Sequence, residues 1–221
     1  MDFRVLIPIA IIVIAVIIYY VYQSVKQRRE ALQEIATALG FSFESKADMK
    51  TIGLADGLHL FNQGHNKRLR NVMHRLSDGV QMTIYDYQYT TGGGQSSHTH
   101  IQTVFQFQSE RLKLPGFTLC PEHVFHKIGK AFGYQDIDFE AFPEFSSKYL
   151  LRGKDEDDIR KLFNQELIAQ FEKGDKLSVE ASGNIIICYR SGKKVKPENL
   201  SETLENMRQI FQLLVRRCEY L

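Results

Sequence analysis

Two histidine-containing stretches are the places where residue types and spacing could do chemistry. In "YTTGGGQSSHTH", His98 and His100 are two positions apart, so in a strand they would share one face and could hold one metal ion. In "CPEHVFHKIG", Cys120 precedes His123 and His126, which would be one helical turn apart. Together these side chains predict a zinc or iron centre if the fold brings them together, and no cofactor if it does not.

Three consecutive glycines, Gly92, Gly93 and Gly94, precede the first histidine pair. A phosphate-binding loop would continue with a Lys-Ser/Thr pair that opens a helix. Here Gln95, two serines and a strand-like run follow instead, so we predict no nucleotide site. Glycines tolerate positive φ angles, which favours the tip of a hairpin between two strands. At the end of projecting strands, this tip is a contact loop for a partner.

The sequence contains no complete catalytic set. Cys120 lies where a helix could begin, and a helix dipole can activate a thiol, but "FTLC" also reads as a buried strand end and no orienting third residue can be named. The acidic run at 155–158 is typical of the first turn of a helix, where carboxylates stabilise the dipole. The sequence therefore assigns no catalytic residues.

Residues 5–22, "VLIPIAIIVIAVIIYYVY", form an uncharged stretch of 18 residues. As a helix this stretch is about 27 Å long, enough to cross most of a bilayer core. A signal peptide would need a basic leader, a shorter apolar run and a small-residue cleavage site, whereas this run ends in Tyr19, Tyr20 and Tyr22. We therefore predict a single transmembrane helix with these tyrosines at the interface with water.

The flanking charges predict the orientation of this helix. Lys26, Arg28 and Arg29 follow the apolar stretch, against Arg4 before it. The positive-inside rule then places the N-terminus outside and the C-terminal domain in the cytoplasm. The same three basic residues are expected at the membrane interface, where they can contact anionic head groups.

Composition agrees with that placement. The 28 basic and 26 acidic side chains give a net charge of +2, too small a field to recruit nucleic acid. The three cysteines are widely spaced and odd in number, which favours a reducing compartment over a disulfide framework.

The remaining pattern predicts an α+β fold, in which the N-terminal transmembrane helix is followed by an antiparallel β-meander packed with helices. We divide the chain into an anchor (1–23), a juxtamembrane amphipathic helix ended by Gly40 (24–40) and a soluble α+β domain (41–221) with a subdomain seam near 134–144. Predicted strands are 58–62, 69–76, 80–89, 99–109, 117–120, 146–151, 176–181 and 185–190. Predicted helices are 121–132, one helix over 155–174, and a last helix that begins near 198.

The segment from Phe145, "FSSKYLLRGKDEDDIRKLFNQELIAQFEKGDKLSVEASGNIIICYRSGKKV", resembles the carboxyl half of uncharacterised bacterial membrane proteins with one or two amino-terminal spans. In those proteins a "Y-x-[LV]-x-G-x-D" strand likewise leads into a helix and a hairpin. The resemblance implies membrane placement and fold only, because those proteins have no assigned activity to carry over.

Two functions follow as hypotheses. The first is a membrane-anchored cytoplasmic binding or scaffold protein that contacts the membrane and a protein partner. The alternative is a membrane-bound metal-dependent enzyme that uses the histidine and cysteine group. Convergence of those side chains would distinguish the two.

Overall fold

A computed structural model describes residues 3–53, 57–122, 136–174 and 176–220. The strands are β1 (Ser42–Ala47), β2 (His65–Ser77), β3 (Val80–Thr91), β4 (His98–Gln108), β5 (Leu114–Pro121), β6 (Tyr149–Gly153), β7 (Ser178–Gly183) and β8 (Ile185–Tyr189). The α-helices described are α1 (Phe3–Ala38), α2 (His59–Asn62), α3 (Pro143–Lys148), α4 (Glu156–Leu162), α5 (Gln165–Lys173) and α6 (Leu200–Tyr220). Short 3₁₀ turns cover Met49–Ile52, Gly94–Ser96 and Pro197–Asn199.

Helix α1 joins the apolar stretch and the juxtamembrane helix without a break. Its last turn is closed by Gly40, whose φ of 72° is the left-handed conformation that glycine adopts without strain. The Phe41 amide donates to the Ala36 carbonyl and the Gly40 amide to the Thr37 carbonyl, which is the Schellman pattern of a helix end. Helix α1 therefore ends at the glycine that the sequence pattern indicated as its stop.

One antiparallel sheet contains all eight strands, in the order β1-β2-β3-β4-β8-β7-β5-β6. Strands β1 to β4 form a meander in which β2, β3 and β4 were predicted and β1 was not. The strand predicted at 117–120 is part of β5, which β8 and β7 separate from β4. Strands from both sides of segment 134–144 belong to the same sheet. The tight turn between β2 and β3 has positive φ at Asp78 and Gly79, as short hairpins require. The α+β architecture predicted from the sequence is confirmed.

Helices cover one face of the sheet and form the main core with it. The second half of α1 contributes Leu32 and Ala36 to this core. From α6, the residues Met207, Phe211 and Leu214 pack in the same core. Aromatic rings fill the space beneath the middle helices, with the residues Phe117, Phe139, Phe145, Tyr149, Phe163 and Phe171 in mutual contact. Because the C-terminal half of α1 packs in this core, that half of the helix belongs to the folded domain.

A second, smaller core lies on the opposite face. Side chains from alternate positions of β3, Tyr85, Tyr87 and Tyr89, lie there under the segment that contains α2. Leu60 and Phe61 of α2 are buried against them, and the Phe61 and Tyr87 rings meet edge to face at 5.2 Å. The sheet is consequently buried on both faces in its centre.

Three predicted elements are wrong in detail. Residues 58–62 form the helical turn α2 and not a strand, because Leu60 and Phe61 pack down on the sheet from above. The helix predicted over 155–174 is split into α4 and α5, since the Asn164 side chain accepts a hydrogen bond from the Leu167 amide and starts a new helix. The strand predicted at 146–151 begins only at Tyr149, after α3. Most of the helix predicted at 121–132 lies outside the described residues.

Candidate functional site at the base of helix α1

A buried ion pair attaches α1 to the sheet. Arg28 donates two hydrogen bonds to Asp86 of β3, from Nε to Oδ2 (2.9 Å) and from Nη2 to Oδ1 (2.8 Å). Its Nη1 atom donates to the Val195 carbonyl at 2.7 Å. The two side chains are 13% and 6% exposed, so this is a bidentate pair largely shielded from water.

Two further side chains complete the site around Asp86. Thr103 Oγ1 donates to Asp86 Oδ1 at 2.8 Å, and Asn71 Nδ2 donates to Oδ2 at 3.0 Å. Asn71 lies in an irregular stretch of β2 with φ of 50°, a conformation that asparagine tolerates better than most residues. The carboxylate thus accepts four hydrogen bonds, which is the condition for burying a charge.

A second contact fixes the direction of α1. The Leu39 carbonyl, at the helix end, accepts a hydrogen bond from Arg75, which pairs with Met82 of β3. Between Arg28 and Leu39, α1 therefore runs from the level of Asp86 back to the level of Met82, antiparallel to β3. The residues before Arg28 extend in the direction in which β3 continues.

Strand and helix dimensions place the β3–β4 hairpin relative to the apolar stretch. Tyr22 precedes Arg28 by about 9 Å along the helix, and Tyr19 by about 14 Å. Thr91 lies about 17 Å beyond Asp86 along β3. The hairpin tip therefore reaches the level of the tyrosines that end the apolar stretch.

We call this part of the domain the α1 end: residues 65–70 of β2, the hairpin tip 91–98 and the loop 191–196. The loop belongs to it because the Lys193 carbonyl accepts a hydrogen bond from the Thr103 amide, and Thr103 pairs with Asp86. Residues 65–70 belong to it because His65 pairs with Thr90. The basic residues in or beside it are Lys26, Arg29, Lys46, Lys67, Arg68, Arg70, Lys193, Lys194 and Lys196.

The predicted interface residues have different surroundings. Tyr19, Tyr20, Tyr22, Lys26 and Arg29 are exposed on α1. Their contact with a membrane interface stays a prediction. Arg28 is different, because its guanidinium donates hydrogen bonds to Asp86 and to the Val195 carbonyl inside the domain.

The predicted contact loop forms the hairpin tip. Gly92 and Gly94 have φ of 75° and 58°, and a Cβ atom on Gly92 would lie 2.3 Å from the Ser96 carbonyl oxygen. Gly92 therefore allows the tight return of the chain, and Gly93 and Gly94 have open space around them. The tip is exposed at the α1 end.

His98 and His100 lie at the start of β4, opposite Thr91 and Tyr89. His98 is exposed. The His100 ring stacks on Tyr89 with centroids 4.8 Å apart, and its Nε2 atom is 2.8 Å from Thr91 Oγ1. These contacts explain His100 as part of the hairpin.

Cys120 lies too far away to share a metal ion with these histidines. Strand pairing aligns Leu119 with Phe105 through β7 and β8. Cys120 is then about 14 Å from β4 across the sheet and about 13 Å from His100 along it. His123 and His126 lie outside the described residues, and within 3–53, 57–122, 136–174 and 176–220 no group of three His, Cys, Asp or Glu could hold a metal.

The Cys120 thiol is also not prepared for nucleophilic chemistry. It is 6% exposed, and burial raises its pKa to about 11. A nucleophilic cysteine needs a lowered pKa and access to substrate. The thiol is protonated at neutral pH and packs as a small apolar group, as the "FTLC" strand end suggested.

A buried carboxyl group on β7 was not foreseen from the sequence. Glu180 accepts hydrogen bonds from Tyr189 Oη (2.6 Å) and the Leu60 amide (3.0 Å), and it is fully buried. Burial raises the pKa of Glu180, and these two hydrogen bonds oppose that shift. Because Glu180 fastens α2 to the sheet and is closed to solvent, we assign it a structural role.

Comparison with known proteins gives a likeness of fold. No protein-family model matches the chain, and no curated protein matches it in sequence. The chain resembles the crystal structure of the mycobacterial trehalose monomycolate transport factor A, TtfA, with a TM-score of 0.64 and 12% identity over 86% of this chain and 94% of that one. At this identity the likeness shows that the two chains share the fold.

Proposed function

We propose that the protein is a single-pass membrane factor without enzymatic activity, whose α+β domain lies in the cytoplasm against the bilayer and binds another membrane protein. One observation carries this proposal. Helix α1 is long and apolar enough to cross a membrane in its first part, and its second part is buried in the domain core. Such a helix would hold the domain at the bilayer without a flexible linker.

The likeness in fold supports a role as an accessory protein. The neighbour of similar fold is a transport factor. An accessory factor needs an anchor and a binding surface but no catalytic centre. The cytoplasmic placement rests on the basic residues that follow the apolar stretch.

The hairpin tip is the surface that we propose for the partner. It is exposed at residues 92–94 and 96–98, it is built from small residues around Gly93, and it reaches the level of the tyrosines that we expect at the bilayer surface. A loop presented by two long strands of a rigid sheet is a typical binding element.

One crosslinking experiment tests this function. Variants with one accessible cysteine, Ser97→Cys (tip) or Leu76→Cys (opposite end), are prepared with Cys218→Ser, and the native Cys120 and Cys188 are kept because they are buried. A membrane-impermeant maleimide that carries a photo-crosslinker is added to vesicles from cells that contain the full chain. We expect both positions to be labelled in inside-out vesicles and neither in right-side-out vesicles. After irradiation, Ser97→Cys should crosslink to a membrane protein and Leu76→Cys should not.

Two results would contradict the proposal. Labelling in right-side-out vesicles would place the domain outside the cytoplasm. Equal crosslinking from both ends would remove the hairpin tip as the partner surface.

A further inference from the structure

We infer that a basic cleft between β1 and β2 binds the head group of an anionic phospholipid. This inference rests on the proposed attachment of α1 to a membrane. The cleft has a volume of about 430 Å³ and opens between the end of β1 and the first half of β2. Its lining residues are Lys46, Ala47, Asp48, Met49, Lys67, Arg68, Leu69 and Arg70.

The cleft has an excess of positive charge, with four basic side chains and one carboxylate, Asp48. Lys46 pairs across the strands with Arg70, which places two cations side by side. Among the residues that the structure describes, none forms an ion pair with Lys46, Arg68 or Arg70. These three cations repel one another, so a bound anion would stabilise them.

The two remaining charged residues of the cleft have partners inside the protein. The Asp48 carboxylate accepts a hydrogen bond from the Lys50 amide and caps the turn that follows β1. Lys67 Nζ donates to the Phe61 carbonyl at 2.5 Å. Lys46, Arg68 and Arg70 are therefore the groups that remain to meet a ligand.

The position of the cleft favours a lipid over a soluble anion. Arg70 pairs with Asp86, so the cleft begins at the level where Arg28 holds α1. Arg68 lies further toward the hairpin tip, opposite Gln88. With α1 in a bilayer, this cleft lies at the head-group layer, where anionic lipids are concentrated.

The chemistry of the side chains fits a phosphodiester. Arginine can donate two parallel hydrogen bonds to phosphate oxygens, and two arginines with one lysine can surround a single phosphate. The lining is not wholly polar, since the half-buried Met49 adds apolar surface on which the glycerol portion can lie. Each basic group near an anionic surface strengthens binding about fivefold.

Titration of the full chain in detergent tests this inference. The probes are dihexanoyl phosphatidylglycerol, dihexanoyl phosphatidylcholine and inorganic phosphate, measured by calorimetry. We expect phosphatidylglycerol to bind at least tenfold more tightly than either other probe. The variant Arg68→Glu/Arg70→Glu should lose at least tenfold in this affinity. The control Lys113→Glu/Lys173→Glu, two exposed lysines outside the α1 end, should change it less than twofold.

Several outcomes would overturn the inference. Equal binding of phosphate and phosphatidylglycerol would mean a site for soluble anions. Equal losses in both variants would mean unspecific attraction by charge. Absence of lipid binding together with binding of a poly-glutamate peptide would assign the cleft to an acidic protein. The neutral variant Arg68→Gln/Arg70→Gln repeats the test if charge reversal disturbs folding. Vesicle labelling of Leu76→Cys and crosslinking from Ser97→Cys that stay unchanged in these variants would show that the proposed function stands even where the lipid site fails.

Discussion

Replacing Arg28 by methionine is expected to destabilise the domain by about 3–5 kcal/mol, because it leaves the buried Asp86 carboxylate without its cation. Thr103 and Asn71 still donate to Asp86, but neither compensates its charge. For a chain of this size the loss corresponds to a fall in Tm of roughly 10 °C. Thermal unfolding of the purified full chain in detergent, followed by near-ultraviolet circular dichroism, measures it.

The neighbouring residue is a matched control. Arg29 is exposed, so Arg29→Met should change the free energy of unfolding by less than about 0.5 kcal/mol. The double variant Arg28→Met/Asp86→Asn removes both charges and should recover more than half of the loss. Equal small effects at the two arginines would show that the ion pair does not hold α1 to the sheet.

Two arginines in the middle of the apolar stretch are expected to remove the protein from the membrane. Ile14 and Ile17 are 55% and 56% exposed and contribute nothing to the domain core. Each arginine at the centre of a transmembrane helix costs about 2.5–3.5 kcal/mol on insertion scales. The variant Ile14→Arg/Ile17→Arg should therefore be lost from membranes washed with alkaline carbonate, whereas the wild type stays in them.

The same charges placed at the interface should have no such effect. Gln23→Arg/Gln27→Arg adds two arginines just after the apolar stretch, where basic residues are favourable. This control should stay in the washed membranes. If both pairs behave alike, the apolar stretch does not hold the protein in a membrane.

The fold was predictable where a local pattern decided the structure. The uncharged run, the glycine at position 40 and the alternation in β3 and β4 each specify an element over short distances. The split at Asn164 was not predictable with the same ease, because the apolar spacing of α4 and α5 continues across the break. Only the capping bond to the Leu167 amide shows where one helix ends and the next begins.

The candidate site depends on contacts between residues far apart in the chain. For this reason the sequence pattern predicted a site at the histidines and Cys120 and not at Arg28 and Asp86. Arg28 looked like one of three equivalent basic residues after the span. Its partner Asp86 follows it by 58 residues, although a lone acid between two tyrosines in a strand was a signal of a buried charge. His98 and His100 were predicted as metal ligands because of their residue type and spacing. In the structure, two strands, β8 and β7, lie between their strand β4 and the strand β5 of Cys120.

The depth of the hairpin tip tests the central claim most directly, namely that α1 holds this end of the domain at the bilayer. Spin labels are attached to Ser97→Cys and Leu76→Cys, each with Cys218→Ser, and the full chain is placed in vesicles that contain a nickel-chelating lipid. The two positions are separated by about 33 Å along the sheet, because Leu76 pairs with Gln81 at the far end of β3. We predict strong relaxation by nickel at Ser97 and little at Leu76. Equal relaxation at both positions would contradict the account.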